Sequence, residues 1–137
     1  VSEPKIEALA RYGMRLGMAY QLTDDALDYV AEEDEFGKAI GMDLKEGKIT
    51  LPLIRTLKKC SSHERVLINN ILKKEDVKDN EIKEIISLIN EYKGIEYAME
   101  KAKEYVWEAK KFLEPFENKV PRDALFVLSD YIVERKL

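Results

Sequence analysis

The sequence predicts an all-α protein. Hydrophobic residues make up 45% of the 137 positions and charged residues 36%, compared with about 25% charged residues in an average protein. Helices with one apolar face and a charged outer face have this composition. Apolar residues recur at helical spacing, and neither an alternating strand pattern nor an internal repeat is present. The length suits one domain, and the chain begins at Val1 rather than at Met. We therefore interpret residues 1–137 as a single helical fragment of a longer protein.

The first predicted helix is the longest, from Lys5 to about Ala31, and it follows the start signals Ser2 and Pro4. This segment is apolar nearly all round, which favours a position in the middle of a helical bundle. Gly13 and Gly17 lie four residues apart on one face. We expect close packing of another helix there, with space for a ligand as the alternative.

The remaining helices are predicted from caps and breakers. Residues 32–50 hold three glycines and are expected to be irregular. The later helices are expected to run from Pro52 to about Lys59, from Ser61 or Ser62 to about Lys74, from Asp79 or Asn80 to Gly94, from Ile95 to about Phe116, and from Pro121 and Asp123 onward. Tyr105 and Trp107, in the helix expected from Ile95 to about Phe116, should pack against neighbouring helices.

Composition also excludes several functions. The 23 basic and 27 acidic residues give a net charge of −4, which disfavours a nucleic-acid partner. No segment predicts a membrane span or a signal peptide. The single cysteine, Cys60, forbids an internal disulfide and favours the reducing cytoplasm as the location. We interpret Cys60 and the nearby His63 as ordinary residues at a helix junction rather than as a reactive pair.

An acidic motif lies inside the apolar first helix. Its sequence is Gln21-Leu22-Thr23-Asp24-Asp25-Ala26-Leu27-Asp28. Asp24 and Asp28 are one helical turn apart, with Asp25 beside them. Burying such carboxylates without compensation costs several kcal/mol each. A hard cation such as Mg²⁺ would offset that cost. Because Mg²⁺ binds one or two protein carboxylates and takes phosphate oxygens as further ligands, such a site also indicates a phosphorylated ligand. The alternative is a solvated acidic patch.

A glycine-rich loop follows, with Lys38 after Gly37 and Lys48 after Gly47. Glycines let a backbone approach a ligand, and ammonium groups bind phosphate oxygens as point charges. The loop lacks the GxxxxGK[ST] pattern of a P-loop and the alternating oxygen ligands of an EF-hand. Taken alone, it is a weak indication of phosphate binding.

Together these two features resemble the second aspartate-rich region of the trans-isoprenyl diphosphate synthases, the head-to-tail prenyltransferases. The matching residues are Tyr20-Gln21, Asp24-Asp25-Ala26-Leu27-Asp28, Gly37-Lys38, Gly41-Met42-Asp43-Leu44 and Gly47-Lys48-Ile49-Thr50-Leu51-Pro52. The segment from Ala124 to Tyr131 and Arg135 is also similar to the last helix of bacterial members. The resemblance implies the C-terminal part of a terpenoid-synthase helical bundle.

The resemblance also implies roles for individual residues. Asp24, Asp25 and Asp28 would hold Mg²⁺, and Lys38 would bind the diphosphate of the allylic substrate. Asp24, Asp25 and Lys38 are therefore the expected catalytic residues. Gln21 and Lys48 would add contacts to the diphosphate, and Thr50 would orient the loop. The implied reaction joins isopentenyl diphosphate to an allylic diphosphate through an allylic cation.

The family pattern requires parts that this sequence lacks, namely a first aspartate-rich motif and a basic site for isopentenyl diphosphate. We therefore expect the chain alone to be inactive and to need the missing N-terminal half of the protein, in a homo-oligomeric assembly of the kind usual in the family. Apolar surface around Met14, Met18 and Leu22 should be exposed without that half. The alternative is a non-catalytic regulatory or assembly subunit derived from the same fold.

Overall fold

Residues 2–30 and 41–135 are described by the computed structural model, and within them the chain is helical without a strand. This confirms the predicted all-α class. The helices are α1 Glu3–Leu27, α2 Met42–Lys45, α3 Leu51–Lys59, α4 Ser62–Leu72, α5 Asp79–Glu91, α6 Gly94–Lys111 and α7 Lys119–Glu134. No helix in the described ranges is long and apolar enough to cross a membrane.

Helix boundaries follow local capping chemistry. The choice between Ser61 and Ser62 is settled by a capping box at Ser61: its hydroxyl accepts a hydrogen bond from the Glu64 amide at 3.2 Å, and the Glu64 carboxylate accepts one from the Ser61 amide at 2.9 Å. The prediction for Gly94 was wrong in one respect, because this residue begins α6 instead of closing α5. A β-carbon at Gly94 would collide with the Pro52 carbonyl oxygen and lie 3.0 Å from Thr56 Oγ1.

The chain divides into two compact units, the first comprising Val1–Asp24 and Met99–Leu137. Small residues let its helices approach closely, and larger ones fill the remaining space. Tyr12 joins α1 to α7 through its hydroxyl, which lies 2.9 Å from Ser129 Oγ and 3.1 Å from the Leu125 carbonyl oxygen. The buried apolar residues of this unit include Ala19, Ala102, Val106, Ala109, Leu113 and Ile132.

The second unit, Asp25–Ala98, has its own core. Helices α3 and α5 pack against each other there. Thr56, fully buried on α3, donates its hydroxyl to the Pro52 carbonyl oxygen at 2.8 Å, so its polar atom is satisfied inside the helix. The core contains Tyr29, Leu44, Leu53, Cys60, Ile68, Ile71, Ile82, Ile85 and Ile89.

One face of α1 is not covered by the described residues. Met14 is 70% exposed and Met18 45%, and nothing lies within 4 Å of the position a β-carbon would take at Gly13 or Gly17. The expected exposure is confirmed at the two methionines. It is wrong at Leu22, which is half-buried against the cluster of Ala19, Ala102, Val106 and Ile132, called here the Ala19 cluster. Within residues 2–30 and 41–135, the close helix packing expected at the two glycines is absent.

Tyr105 and Trp107, both on α6, differ in environment. Tyr105 packs against the Ala19 cluster as expected. Trp107 is 61% exposed, so the prediction that it packs against a neighbouring helix was wrong. It lies on the outer side of α6, away from the buried Ala102 and Ala109. The ammonium of Lys111 lies 3.3 Å from the centroid of its ring, a cation–π contact on the helix surface.

Candidate functional site

Asp24 lies in the last turn of α1, in the first unit, and its side chain is 41% exposed. Its carboxylate oxygen Oδ1 forms a charge-assisted hydrogen bond with Nη2 of Arg135. Arg135 is the C-cap residue of α7, and its side chain is 17% exposed. The end of α7 therefore places a fixed positive charge beside the first aspartate of the acidic motif.

Asp28 directly follows α1 in the chain and belongs to the second unit. Its backbone oxygen accepts a hydrogen bond from the Gly41 amide, and its side-chain Oδ2 accepts one from the Asp43 amide, both at 3.1 Å. Gly41 adopts the left-handed conformation, with a φ of 76°, as it enters the short helix α2. Leu44 in that helix is buried and anchors the segment in the core. The Gly-Met-Asp-Leu sequence thus fixes the Asp28 carboxylate.

The surroundings of Asp28 are acidic. Burial is the main reason that the pKa of Asp28 is raised above its ordinary value, and the hydrogen bond from the Asp43 amide opposes that effect. The nearby carboxylates of Asp43, Asp25 and Glu46 raise the pKa of Asp28 further. A bound cation would relieve this repulsion.

Lys48 lies at the edge of the same acidic group. Its ammonium is 3.1 Å from the Glu46 carboxylate and 3.8 Å from Asp43, and its side chain is 62% exposed. The hydrogen bond with Glu46 and the negative charge of Glu46 and Asp43 raise the pKa of Lys48 above its ordinary value. Lys48 is therefore charged at neutral pH and placed at the surface, where an anion can reach it.

Thr50 connects the end of this segment to the residue after Asp28. Its hydroxyl lies 2.7 Å from the Tyr29 hydroxyl, and Thr50 makes no side-chain cap to α3 although it occupies the N-cap position. Burial of Tyr29 is the main cause that raises its pKa to about 12, so its hydroxyl stays protonated. The role of Thr50 in orienting the loop stays a prediction.

The predicted site residues are distributed as follows. Asp24 is in the first unit, and Asp25, Asp28 and Lys48 are in the second. Gln21 lies in the first unit on α1 and is exposed. Lys38, together with Gly37, lies outside the described residues. Cys60 is buried and donates its thiol to the Leu57 carbonyl oxygen at 3.7 Å, which agrees with a structural role.

The donor groups suit a hard cation. In residues 2–30 and 41–135 no three His, Cys, Asp or Glu side chains are placed as a ready-made metal site. Mg²⁺ does not need one, because it commonly binds one or two protein carboxylates and takes its other ligands from water and phosphate. The carboxylates around Asp28, with Lys48 beside them, match that chemistry.

Two residues of the site had no assigned role from the sequence. Asp43 supplies the amide that holds Asp28, and its position after Gly41 in a matched motif was a usable signal. Arg135 contacts a residue 111 positions away. Arg135 belongs to the last matched segment, but no local pattern in a single sequence predicts such a pairing.

Comparisons with known proteins identify the fold and the family. The polyprenyl synthetase family matches residues 1–89. A short chain isoprenyl diphosphate synthase of Methanothermobacter thermautotrophicus is 37% identical over 135 residues, and an octaprenyl diphosphate synthase of Haemophilus influenzae is 36% identical over 134. Each alignment covers 98% of this chain, but 41% and 40% of the respective relatives.

Solved structures give the same result. A polyprenyl synthase of Caulobacter crescentus, crystallised with calcium and isoprenyl diphosphate, superposes with a TM-score of 0.90 at 33% identity; the match covers 100% of this chain and 42% of that one. A decaprenyl diphosphate synthase of Rhodobacter capsulatus matches with a TM-score of 0.88 at 31% identity, over 99% of this chain and 42% of its own. The chain thus spans about two fifths of its relatives' length. It has the helical terpenoid-synthase fold and belongs to the polyprenyl synthetase family.

Proposed function

We propose that this chain supplies the second metal and diphosphate half-site of a trans-prenyltransferase, which condenses isopentenyl diphosphate with an allylic diphosphate. The observation that carries the proposal is the Asp28 carboxylate, held by the Asp43 amide among further carboxylates, of which Asp43 and Glu46 also lie near the Lys48 ammonium. An acidic group of this kind is costly unless a cation binds to it. Family membership supplies the reaction class.

In this proposal Asp24, Asp25 and Asp28 provide oxygen ligands for Mg²⁺. The ion, when bound, supplies positive charge that stabilises a departing diphosphate. The hydrogen bond from the Asp43 amide favours the ionised form of Asp28 and so keeps a ligand oxygen available. The Asp43 amide also restrains the rotation of that carboxylate, so less side-chain conformational entropy is lost when the ligand binds.

Lys38, Lys48 and Gln21 are proposed to contact the diphosphate. For Lys48 the support is its exposure and its raised pKa, which keep a charged ammonium accessible next to the carboxylates. Charge preplaced where negative charge develops lowers the barrier to breaking the carbon–oxygen bond. For Lys38 and Gln21 the support is their position in the matched sequence.

The chain alone is proposed to be inactive. It covers about two fifths of the relatives' length. The sequence contains neither the first aspartate-rich motif nor the basic site that the family resemblance requires. Two substrates therefore cannot be brought into reacting geometry by this chain. The partner is the missing N-terminal part of the same protein, in a homo-oligomeric enzyme located in the cytoplasm. A non-catalytic subunit of the same fold is the competing proposal.

A binding experiment separates the two proposals. The chain is titrated calorimetrically with inorganic pyrophosphate in the presence and absence of Mg²⁺. We expect Mg²⁺-dependent binding that is weakened by Asp28→Asn and by Lys48→Ala. The matched control is Lys45→Ala, because the ammonium of Lys45 pairs with Asp79 at 2.6 Å. Absence of Mg²⁺-dependent binding, or equal losses in the Lys45 and Lys48 variants, would favour the non-catalytic subunit.

A further inference from the structure

Arg135 is anchored by contacts that do not involve Asp24. Its guanidinium carbon lies 4.4 Å from the centroid of the Tyr20 ring. Nε donates to the Ile132 carbonyl oxygen at 3.1 Å, and Nη2 donates to the Tyr20 carbonyl oxygen at 3.3 Å. With these three contacts and little exposure, the guanidinium is a fixed group rather than a mobile surface charge.

The same Nη2 contacts Oδ1 of Asp24. We propose that Arg135 is a positioning residue that restrains the Asp24 carboxylate and makes it selective for a metal–diphosphate complex over the bare metal ion. This inference rests on the proposed function, since it needs Asp24 as a metal ligand. The end of α7 would thereby contribute to the ligand selectivity of the site.

The physical argument is one of charge. A fixed guanidinium beside Asp24 repels a bare divalent cation and lowers its affinity for that carboxylate. A complex of one divalent ion with pyrophosphate carries net negative charge, so the same guanidinium attracts it. The contact also fixes the orientation of the carboxylate, and partners that orient a metal ligand commonly change metal affinity by about 10–100-fold.

A purely structural role is the competing explanation. Arg135 caps the C-terminus of α7, where a positive charge is favourable in any helix. Arg122 on the same helix is a matched control. Its Nη1 donates to the Phe116 carbonyl oxygen at 3.0 Å, and its guanidinium lies 6.0 Å from the Phe126 ring centroid. Arg122 thus shares the carbonyl and aromatic contacts of Arg135 but pairs with no residue of the acidic motif in the described chain.

The experiment measures two affinities of the full chain by water proton relaxation: for Mn²⁺ alone and for Mn²⁺ with equimolar inorganic pyrophosphate. In Arg135→Ala we expect the affinity for Mn²⁺ alone to rise and that for the pyrophosphate complex to fall. The ratio of the two affinities should change by about tenfold. Arg135→Lys should restore part of the ratio, because it keeps the charge. Urea unfolding of each variant measures the structural contribution separately.

Two further variants decide the outcome. Arg122→Ala should leave the ratio unchanged even if it lowers stability. In the Asp24→Asn background, Arg135→Ala should have no further effect on the ratio, because the proposed action passes through Asp24. An unchanged ratio in Arg135→Ala, or an equal change in Arg122→Ala, overturns this inference alone. If the parent chain binds neither Mn²⁺ alone nor Mn²⁺ with pyrophosphate, the proposed function is overturned as well.

Discussion

The backbone amide of Asp43 donates a hydrogen bond to Oδ2 of Asp28, with 3.1 Å between nitrogen and oxygen. This contact joins two residues that lie 15 positions apart, and it links the aspartate-rich motif to the Gly-Met-Asp-Leu motif that follows it. Gly41 allows the turn, Leu44 anchors it in the core, and the amide of Asp43 then faces the carboxylate. The contact supplies part of the compensation that a half-buried carboxylate needs.

Substitution of Gly41 should test this arrangement. Gly41→Ala should lower the free energy of unfolding by about 1–3 kcal/mol, because the residue has a φ of 76° and a β-carbon would lie 2.7 Å from Ile82 Cγ2. Gly47→Ala is the matched control, with the same φ of 76° and open space around the β-carbon. It should lose only about 1 kcal/mol. Urea unfolding measures both, and equal losses would show that crowding against Ile82 is unimportant.

Gly94 and Gly13 should respond to alanine in opposite directions. Gly94→Ala forces a β-carbon against the Pro52 carbonyl oxygen, so it should destabilise the chain by about 1–3 kcal/mol. Gly13→Ala adds a methyl group in open space inside α1 and should stabilise the chain by about 0.5–1 kcal/mol. Thermal and urea unfolding of the two variants provide the comparison. A stable Gly94→Ala protein would contradict the observed closeness of α6 to α3.

The pair formed by Tyr92 and Glu64 should make stability depend on pH. The Tyr92 hydroxyl donates to Glu64 Oε1 at 2.5 Å, and this hydrogen bond is the main cause that lowers the pKa of Glu64 and raises that of Tyr92 to about 12. A carboxyl with a lowered pKa stabilises the fold above its unfolded-state pKa, and this contribution disappears as pH falls through the folded-state value. Because the pKa of Tyr92 is raised, this residue stabilises the fold at pH values below its unfolded-state pKa. That contribution is lost as pH rises toward 12.

Tyr92→Phe should therefore be less stable than the parent between about pH 5 and pH 9. The difference should shrink on acidification below about pH 4, as Glu64 becomes protonated in the parent. Urea unfolding across this pH range is the measurement, and Tyr131→Phe, at an exposed position on α7, is the control. A difference that stays constant down to pH 2 would show that the lost hydroxyl does not act through the ionised Glu64.

The uncovered face of α1 should cause self-association of the isolated chain. Met14 and Met18 are exposed there beside two glycines with open space around them, which leaves an apolar surface without a partner in the described structure. Sedimentation at increasing concentration should show dimers or larger species. The double substitution Met14→Lys and Met18→Lys should shift the chain to monomer. A parent chain that stays monomeric at high concentration would contradict this prediction.

Much of the fold could be predicted because its signals are local. Ser61 and Ser62, either of which could cap a helix, and the proline at the start of α3 marked helix boundaries directly. Gly94 was misread because a glycine after a helix usually signals an end, whereas here it permits a tertiary approach to Pro52. Trp107 was misread because a large aromatic residue is more often buried than exposed, and the outward direction of one face of α6 depends on the packing of distant helices.

The candidate site shows the same division. The spacing of Asp24, Asp25 and Asp28 and the Gly-Lys pairs could be read from the sequence. The pairing of Asp24 with Arg135 could not, because it joins opposite ends of the chain. Asp43 belongs to a matched motif, but its contact with Asp28 uses the backbone amide, so the residue type alone gives no sign of it.

The kinetics of Asp24→Asn test the central claim most directly, in the longer enzyme of which we propose this chain is a part. We expect kcat to fall by about 10²–10³, with a much smaller change in KM for the allylic substrate, because the lost contact acts most strongly in the transition state. Lys38→Ala should raise that KM as well, and the chain alone should form no polyprenyl product. Full activity of Asp24→Asn, or product formed by the isolated chain, would contradict the half-site account.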